Sequence, residues 1–433
     1  MKTAAIIAEY NPFHLGHKFH IEETKARTGA DFILVIMSGH FVQRGAPALF
    51  DKYTRTRMAL LGGADVVLGL PTVYATSSAE YFAQGAVTLA HRLGAVDILS
   101  FGSEEGSITP FIDAASILLA HEKEMQETLH LLLKEGVSYP TAKEQAATAH
   151  PTFTKELQRL LSAPNNILGI EYCKALLALN SPIIPFTIPR HGQKFQDTHL
   201  PSTLGHFASA SAIRHAATSA VCKHHTHTAS YVHDTVLLTQ IQSFIPEECR
   251  EIFSSALNTG TFLTEDDLSL MLYYQLLLQS RNGYAKYLDC TPDLSGKICK
   301  NLSSYTGFSD FCSLLKSKDL TYARISRTLL HILLGLTTPD FYRQNYTMRD
   351  YFLPYGHLLG FRKSAGELLS VIKKNSSIPL ITKMSDAKKS LTGDALEFLN
   401  QELFCASLYE AVLRSKNKGI ALNELRQSPV IIQ

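Results

Sequence analysis

Ala4-Ala5-Ile6-Ile7-Ala8-Glu9-Tyr10-Asn11-Pro12-Phe13-His14-Leu15-Gly16-His17 reads as a buried strand, a turn and the start of a helix. The unbroken apolar run over residues 4–8 suits a strand covered on both faces. Asn11 is placed to cap the helix, and Pro12 suits its first turn, where no amide donor is needed. His14 and His17 stand three apart, so once the helix begins they share one face. Gly16 between them removes a side chain and lets a bulky flat group approach the backbone. A helix start also presents free amides and partial positive charge, which suits a polyphosphate. Two imidazoles there can donate hydrogen bonds to phosphate oxygens as charge builds on a departing pyrophosphate, without attacking anything themselves. Two histidines packed or solvated in an ordinary loop would spell the same four letters. The position directly after a first strand and before a helix favours the chemical reading.

Outward from this stretch, strands and helices alternate. Residues 32–37, 65–70 and 96–101 are short apolar runs, while 16–28, 53–61 and 79–93 carry helical spacing. That alternation predicts a doubly wound α/β domain with a parallel sheet, whose ligands bind beyond the carboxyl ends of the strands. Composition shifts after Arg214, and Cys222-Lys223-His224-His225-Thr226-His227-Thr228 is polar and pattern-free, as a linker would be. Its three histidines lack the partner pattern of a metal site. Segments 268–278 and 321–336 keep helical spacing, so the expected division is a nucleotide-binding domain over 1–215 and a mainly α-helical domain over 230–433.

The chain has 433 residues with 41 basic and 39 acidic side chains, a formal net charge of +2. No global basic field announces nucleic acid, although a local basic face remains compatible with that balance. The first apolar run stops at Glu9, too soon for a signal peptide, and no stretch approaches a membrane span. Seven cysteines without a CxxC pair point to a reduced, cytoplasmic protein with no structural zinc and no dedicated metal site.

The H-x-G-H after the first strand resembles the nucleotidyltransferase superfamily that includes class I aminoacyl-tRNA synthetases. Further blocks resemble one branch of it, the bacterial tRNA(Met) cytidine acetate ligases. They are Ile7 to His17, Met37-Ser38-Gly39-His40-Phe41-Val42-Gln43-Arg44-Gly45, Asp51-Lys52-Tyr53, Ala64-Asp65, Leu70-Pro71 and Phe101-Gly102-Ser103-Glu104. Pro164-Asn165-Asn166-Ile167-Leu168-Gly169, Ile188-Pro189-Arg190, Ser209-Ala210-Ser211-Ala212-Ile213-Arg214 and, more loosely, residues 320–327 continue the match. The resemblance implies a Rossmann-like nucleotidyltransferase fold and two steps. Acetate attacks the α-phosphate of ATP, and the acetyl group then passes to the exocyclic amine of the wobble cytidine in elongator tRNA(Met). ATP would bring Mg2+ with it. His40 and Pro189 depart from the branch, where asparagine and lysine are expected.

His14 and His17 are then the catalytic candidates. The ATP-binding stretch would run through Ile7, Ala8, Glu9, Tyr10, Asn11, Pro12, Phe13, His14, Leu15, Gly16, His17, Lys18, Phe19 and His20, joined by Gly102, Asn165 and Arg190. Gly102 ends a buried strand, where adenine or ribose can lie on the backbone. A side-chain amide at Asn165 can pair with a base edge or ribose hydroxyl, although it can equally cap a helix. Arg190 follows another strand, where a permanent guanidinium suits phosphate contact or adenine stacking. Ser209, Ser211 and Arg214 resemble an element that opens a helix under the triphosphate, and a capped helix with an exposed arginine would look the same. For tRNA, the candidates are Arg44 and Lys52, with Arg55 and Arg57 nearby, and Arg324 with Arg327. Lys383-Met384-Ser385 resembles the second synthetase signature but lies far beyond the sheet, behind Pro379, which argues against a central strand there. Two rivals stay open. A nucleotidyltransferase acting on a small coenzyme precursor would rarely need so long a helical half. A catalytically inactive tRNA-binding relative would have no use for intact His14, Gly16 and His17.

Overall fold

The structure, a computed structural model, describes residues 1–135, 142, 145–146, 154–161, 163–190, 199–201, 207–223, 231–338, 352–417 and 422–433. Its strands are β1 (Thr3–Ala8), β2 (Phe32–Ser38), β3 (Phe41–Val42), β4 (Ala46–Pro47), β5 (Val66–Leu70) and β6 (Ile98–Ser103). They continue with β7 (Ile184–Pro189), β8 (Val221–Lys223), β9 (Tyr231–His233), β10 (Gly356–Arg362), β11 (Leu380–Ile381) and β12 (Val430–Ile432). The central sheet runs β11-β10-β5-β2-β1-β6-β7, with β12 joined to β10. From β5 across to β7 every pairing is parallel. The connecting helices α1 (Leu15–Thr28), α2 (Lys52–Leu61), α3 (Thr72–Ala75) and α4 (Ala79–Arg92) lie close to the helical spacing of the sequence.

The strands β1, β2 and β5 each feed two cores. Ala5 packs with Phe82 of α4 and Tyr172 of the helix Pro164–Ala178 on one face of the sheet. Ala4 and Ile6 pack with Met58 of α2 and Ile213 of the helix Ala210–Ser219 on the other. Neighbours of β1 leave in opposite directions, to β2 on one side and β6 on the other. This makes the carboxyl end of β1 the switch point where a doubly wound sheet opens a crevice.

The second half of the chain is mainly helical and holds its own core, with Leu272, Phe311, Leu329 and Tyr409 among its buried members. It also returns to the sheet, which the expected division at 215 and 230 does not contain. β10 lies antiparallel to β5, with Leu358 in one core and Leu359 in the other. The physical reason is edge protection: β10 pairs the hydrogen-bonding groups that β5 would otherwise expose. β11, directly after Pro379, is a two-residue edge strand, the place where proline costs no ladder bond. Within the expected linker, Cys222 and Lys223 belong to β8, paired antiparallel with β9, because two short β-prone runs flank it. His224, His225 and His227 lie outside the described residues. Among the described residues, no helix is long and apolar enough to cross a membrane.

Candidate active site

α1 begins at Leu15, and its cap is His14 rather than Asn11. The His14 Nδ1 accepts from the Gly16 amide at 3.0 Å, and the His17 Nδ1 accepts from the His14 amide at 3.3 Å. This reciprocal cap fixes both tautomers: with Nδ1 accepting, a neutral ring carries its hydrogen on Nε2. Both rings line one cavity, with centroids 3.7 Å apart and planes tilted by 31°. Burial, then the Arg190 and Arg214 charges, push the His14 imidazole down to about 3. The His17 ring is lowered for the same first cause, with His14 beside it. The site therefore holds two neutral N–H donors at neutral pH. Gly16 serves His14 itself, since a Cβ there would stand 2.9 Å from the His14 ring carbon. Asn11 instead accepts from the Leu49 amide at 2.8 Å, and Pro12 sits in the preceding turn.

The cavity extends beyond the ends of β6 and β7. Gly102 lines it, and the Arg190 side chain lies against that glycine, where an added Cβ would come within 3.2 Å. Asn165 bridges Arg190, which donates to its Oδ1 at 3.3 Å, and Glu104, which accepts from its Nδ2 at 2.7 Å. Ser209 caps the helix Ala210–Ser219 by accepting from the Ala212 amide. Arg214, four residues into that helix, donates to the Asn11 carbonyl at 2.6 Å and to Ser211 Oγ at 3.2 Å. Burial, with Arg44 next, lowers the Arg214 guanidinium to about 10. Arg44, Arg190 and Arg214 line the cavity, and Glu9 is its one carboxylate among the described residues. That balance selects an anionic ligand.

Several expected residues face elsewhere. Phe13 is buried in the core against Gly62. The Leu15 amide donates to the Phe244 carbonyl, and Lys18 is paired with Glu248 at 2.6 Å. Pro12, Phe13, Leu15 and Lys18 lie outside the cavity lining, whereas the rest of 7–20 contributes to it: Ile7, Ala8, Glu9, Tyr10, Asn11, His14, Gly16, His17, Phe19 and His20. Lys52 is no tRNA contact: it is buried against Glu424 at 2.6 Å, because α2 is covered by the C-terminal segment. Arg55 is a fully buried brace, donating to the carbonyls of Glu9, Ser38, Gly39 and Phe50 and so tying the ends of β1 and β2 together. Arg57 is exposed. Arg327 is bound to Asp289 at 2.8 Å, and Arg324 is half-buried one turn before it. Their helix docks on the β3–β4 turn, where Ser326 donates to the Gly45 carbonyl at 2.9 Å. His40 stacks on Tyr409 away from the cavity, while Pro189 lines it. Lys383 precedes a short helix, Met384–Ser390, and is absent from the lining.

Sequence reasoning missed Phe82, Phe101, Leu168, Tyr172, Ile188 and Phe207, all of which line the cavity. A signal existed for two of them: Asn165, Leu168 and Tyr172 share one face of a helix. Nothing local marks Phe82 or Phe207.

The chain matches the HIGH Nucleotidyl Transferase family model over residues 1–423. A tRNA(Met) cytidine acetate ligase of Clostridium novyi is 36% identical over 434 residues, covering 100% of both chains. One from Thermoanaerobacter sp. is 36% identical across 97% of each. The chain belongs to the tRNA(Met) cytidine acetate ligase family. Among solved members of this ligase family, apo Thermotoga maritima TmcAL superimposes with a TM-score of 0.87 at 28% identity, covering all of both chains. The same protein bound with alpha-thio ATP gives 0.85 at 28% identity, again over both full lengths. This member of the ligase family is therefore an ATP-using enzyme with an intact H-x-G-H.

Proposed function

We propose that the chain activates acetate with ATP and acetylates the N4 amine of the wobble cytidine of elongator tRNA(Met) in the cytoplasm. The observation that carries this reading is the pair of neutral imidazoles, their Nδ1 atoms engaged at the helix start, that line an arginine-rich crevice at the sheet's switch point. An acetate oxygen attacks the α-phosphorus, the bond to the β-phosphate oxygen breaks, and pyrophosphate leaves. His14 and His17 donate to the oxygens on which charge grows, and neutral donors suit this because they need no proton exchange. Gly102, Asn165 and Arg190 hold the nucleoside, and Ser209, Ser211 and Arg214 hold the outer phosphates. Mg2+ arrives on ATP. The phosphates of ATP, with water, would be its main ligands. Arg44, with Arg324 and Arg327 on the adjoining helix, contacts the tRNA backbone.

The test is transfer of labelled acetate. With ATP and tRNA(Met), the purified protein should place label on a single cytidine, recovered as N4-acetylcytidine after nuclease digestion. Label that stays off the tRNA, with nucleotidyl transfer to a small phosphate compound instead, would reverse the assignment.

A further inference from the structure

Both cores that flank β1 contribute to the wall of the one cavity. Ile6, Tyr10 and Ala208 line it from one core, together with His14, His17 and Ser209. Phe82, Phe101 and Tyr172, members of the opposite core, line it too, with Ile7 packed against that core. This aromatic wall carries none of the groups assigned to the phosphates. Glu9, at the end of β1, is the carboxylate of the lining. Its Oε1 accepts from the Gln43 backbone amide at 2.9 Å, which holds the carboxylate in place. Burial first, and the Glu9 charge second, hold the hydroxyl of Tyr172 well above the usual phenol range.

We propose that this aromatic wall receives the acceptor cytosine and that Glu9 is the catalytic residue that accepts the proton from its exocyclic amine. The inference rests on the function proposed above. An unstacked base is held by aromatic side chains and read on its hydrogen-bonding edge. A carboxylate complements an amine donor, and it repels a second carboxylate, which keeps acetate away from this wall. In the transfer step the amine nitrogen attacks the acetyl carbonyl carbon and the C–O bond to the AMP phosphate breaks. AMP leaves, and the displaced N–H proton passes to Glu9.

Glu9→Gln keeps the shape and the hydrogen bond from Gln43 but cannot take the proton. The experiment compares two rates in the wild type and this variant. One is acetate-dependent exchange of pyrophosphate into ATP. The other is single-turnover acetyl transfer to tRNA(Met) from preformed enzyme-bound acetyl-adenylate, followed across pH. Losing a positioned base typically costs about a hundredfold or more, so the ratio of transfer to exchange should fall by about that factor. Phe82→Leu, which keeps the core filled, should raise the tRNA concentration needed for half-maximal transfer. A parallel loss of both rates, or a ratio of transfer to exchange that stays at the wild-type value, would overturn the assignment of Glu9. A wild-type enzyme that exchanges pyrophosphate yet transfers no acetyl to cytidine would instead remove the underlying functional reading, and this proposal with it.

Discussion

His14→Ala and His17→Ala should each slow acetate-dependent adenylate formation by about a hundredfold or more. Removing one donor aimed at charge that develops in the transition state typically costs about 3 kcal/mol. The two variants differ in one respect. His14 also caps α1, accepting from the Gly16 amide, and loss of a cap costs about 1 kcal/mol of stability. His14→Asn separates these roles, because asparagine caps well but places no donor where the imidazole Nε2 lies. It should recover the melting temperature and leave the rate low. Adenylate formation near the wild-type rate in either alanine variant would make the histidines structural.

Acid should unfold the protein well before its carboxylates titrate. His14 and His357 are held down to about 3 and His20 to about 4, each chiefly by burial. An unfolded histidine titrates near 6.5, so below that pH the unfolded chain binds protons that the folded one refuses. Stability is then complete above 6.5 and declines as pH falls, by about 1.4 kcal/mol per unit for each such ring. Glu402, pushed up to about 7 by burial, runs the opposite way between 7 and its unfolded value, offsetting about one histidine. From pH 6.5 to 5 the net loss is therefore about 4 kcal/mol, a large part of a typical folding free energy. His17, His40 and His331 shift in the same direction as the three histidines. Glu424, whose carboxyl is held low by Lys52 and His40 despite its burial, adds a loss only below the ordinary glutamate range. Urea midpoints at pH 7.5, 6 and 5 measure this. A midpoint unchanged down to pH 5 would show that these rings are solvated.

What the sequence disclosed followed from local pattern. Residues 4–8, 32–37 and 65–70 are apolar on both faces, and a strand buried on both faces needs that wherever the chain goes next. The imidazole pair was legible because its spacing and its place after β1 are local facts. The cap itself was misassigned, since Asn11 is the better intrinsic cap and only the tertiary bond from the Leu49 amide removes it from that role. Lys52 shows the harder limit. A lysine beside Arg55 and Arg57 reads as a solvated basic face, and its partner Glu424 is 372 positions away. β10 was hidden in the same way: Leu358 and Leu359 suit a helix or a strand equally, and the exposed edge of β5 decides between them. The aromatic wall built from Phe82 and Tyr172 depends on two helices packing side by side, a contact that neither helix announces.

If the histidine pair at the start of α1 builds an acyl-adenylate, labelled pyrophosphate exchanges into ATP without tRNA. The expected result is exchange with acetate present, little without an added acid, and loss of exchange in His17→Ala. Exchange that ignores acetate but responds to nicotinate mononucleotide or another phosphate monoester would contradict it.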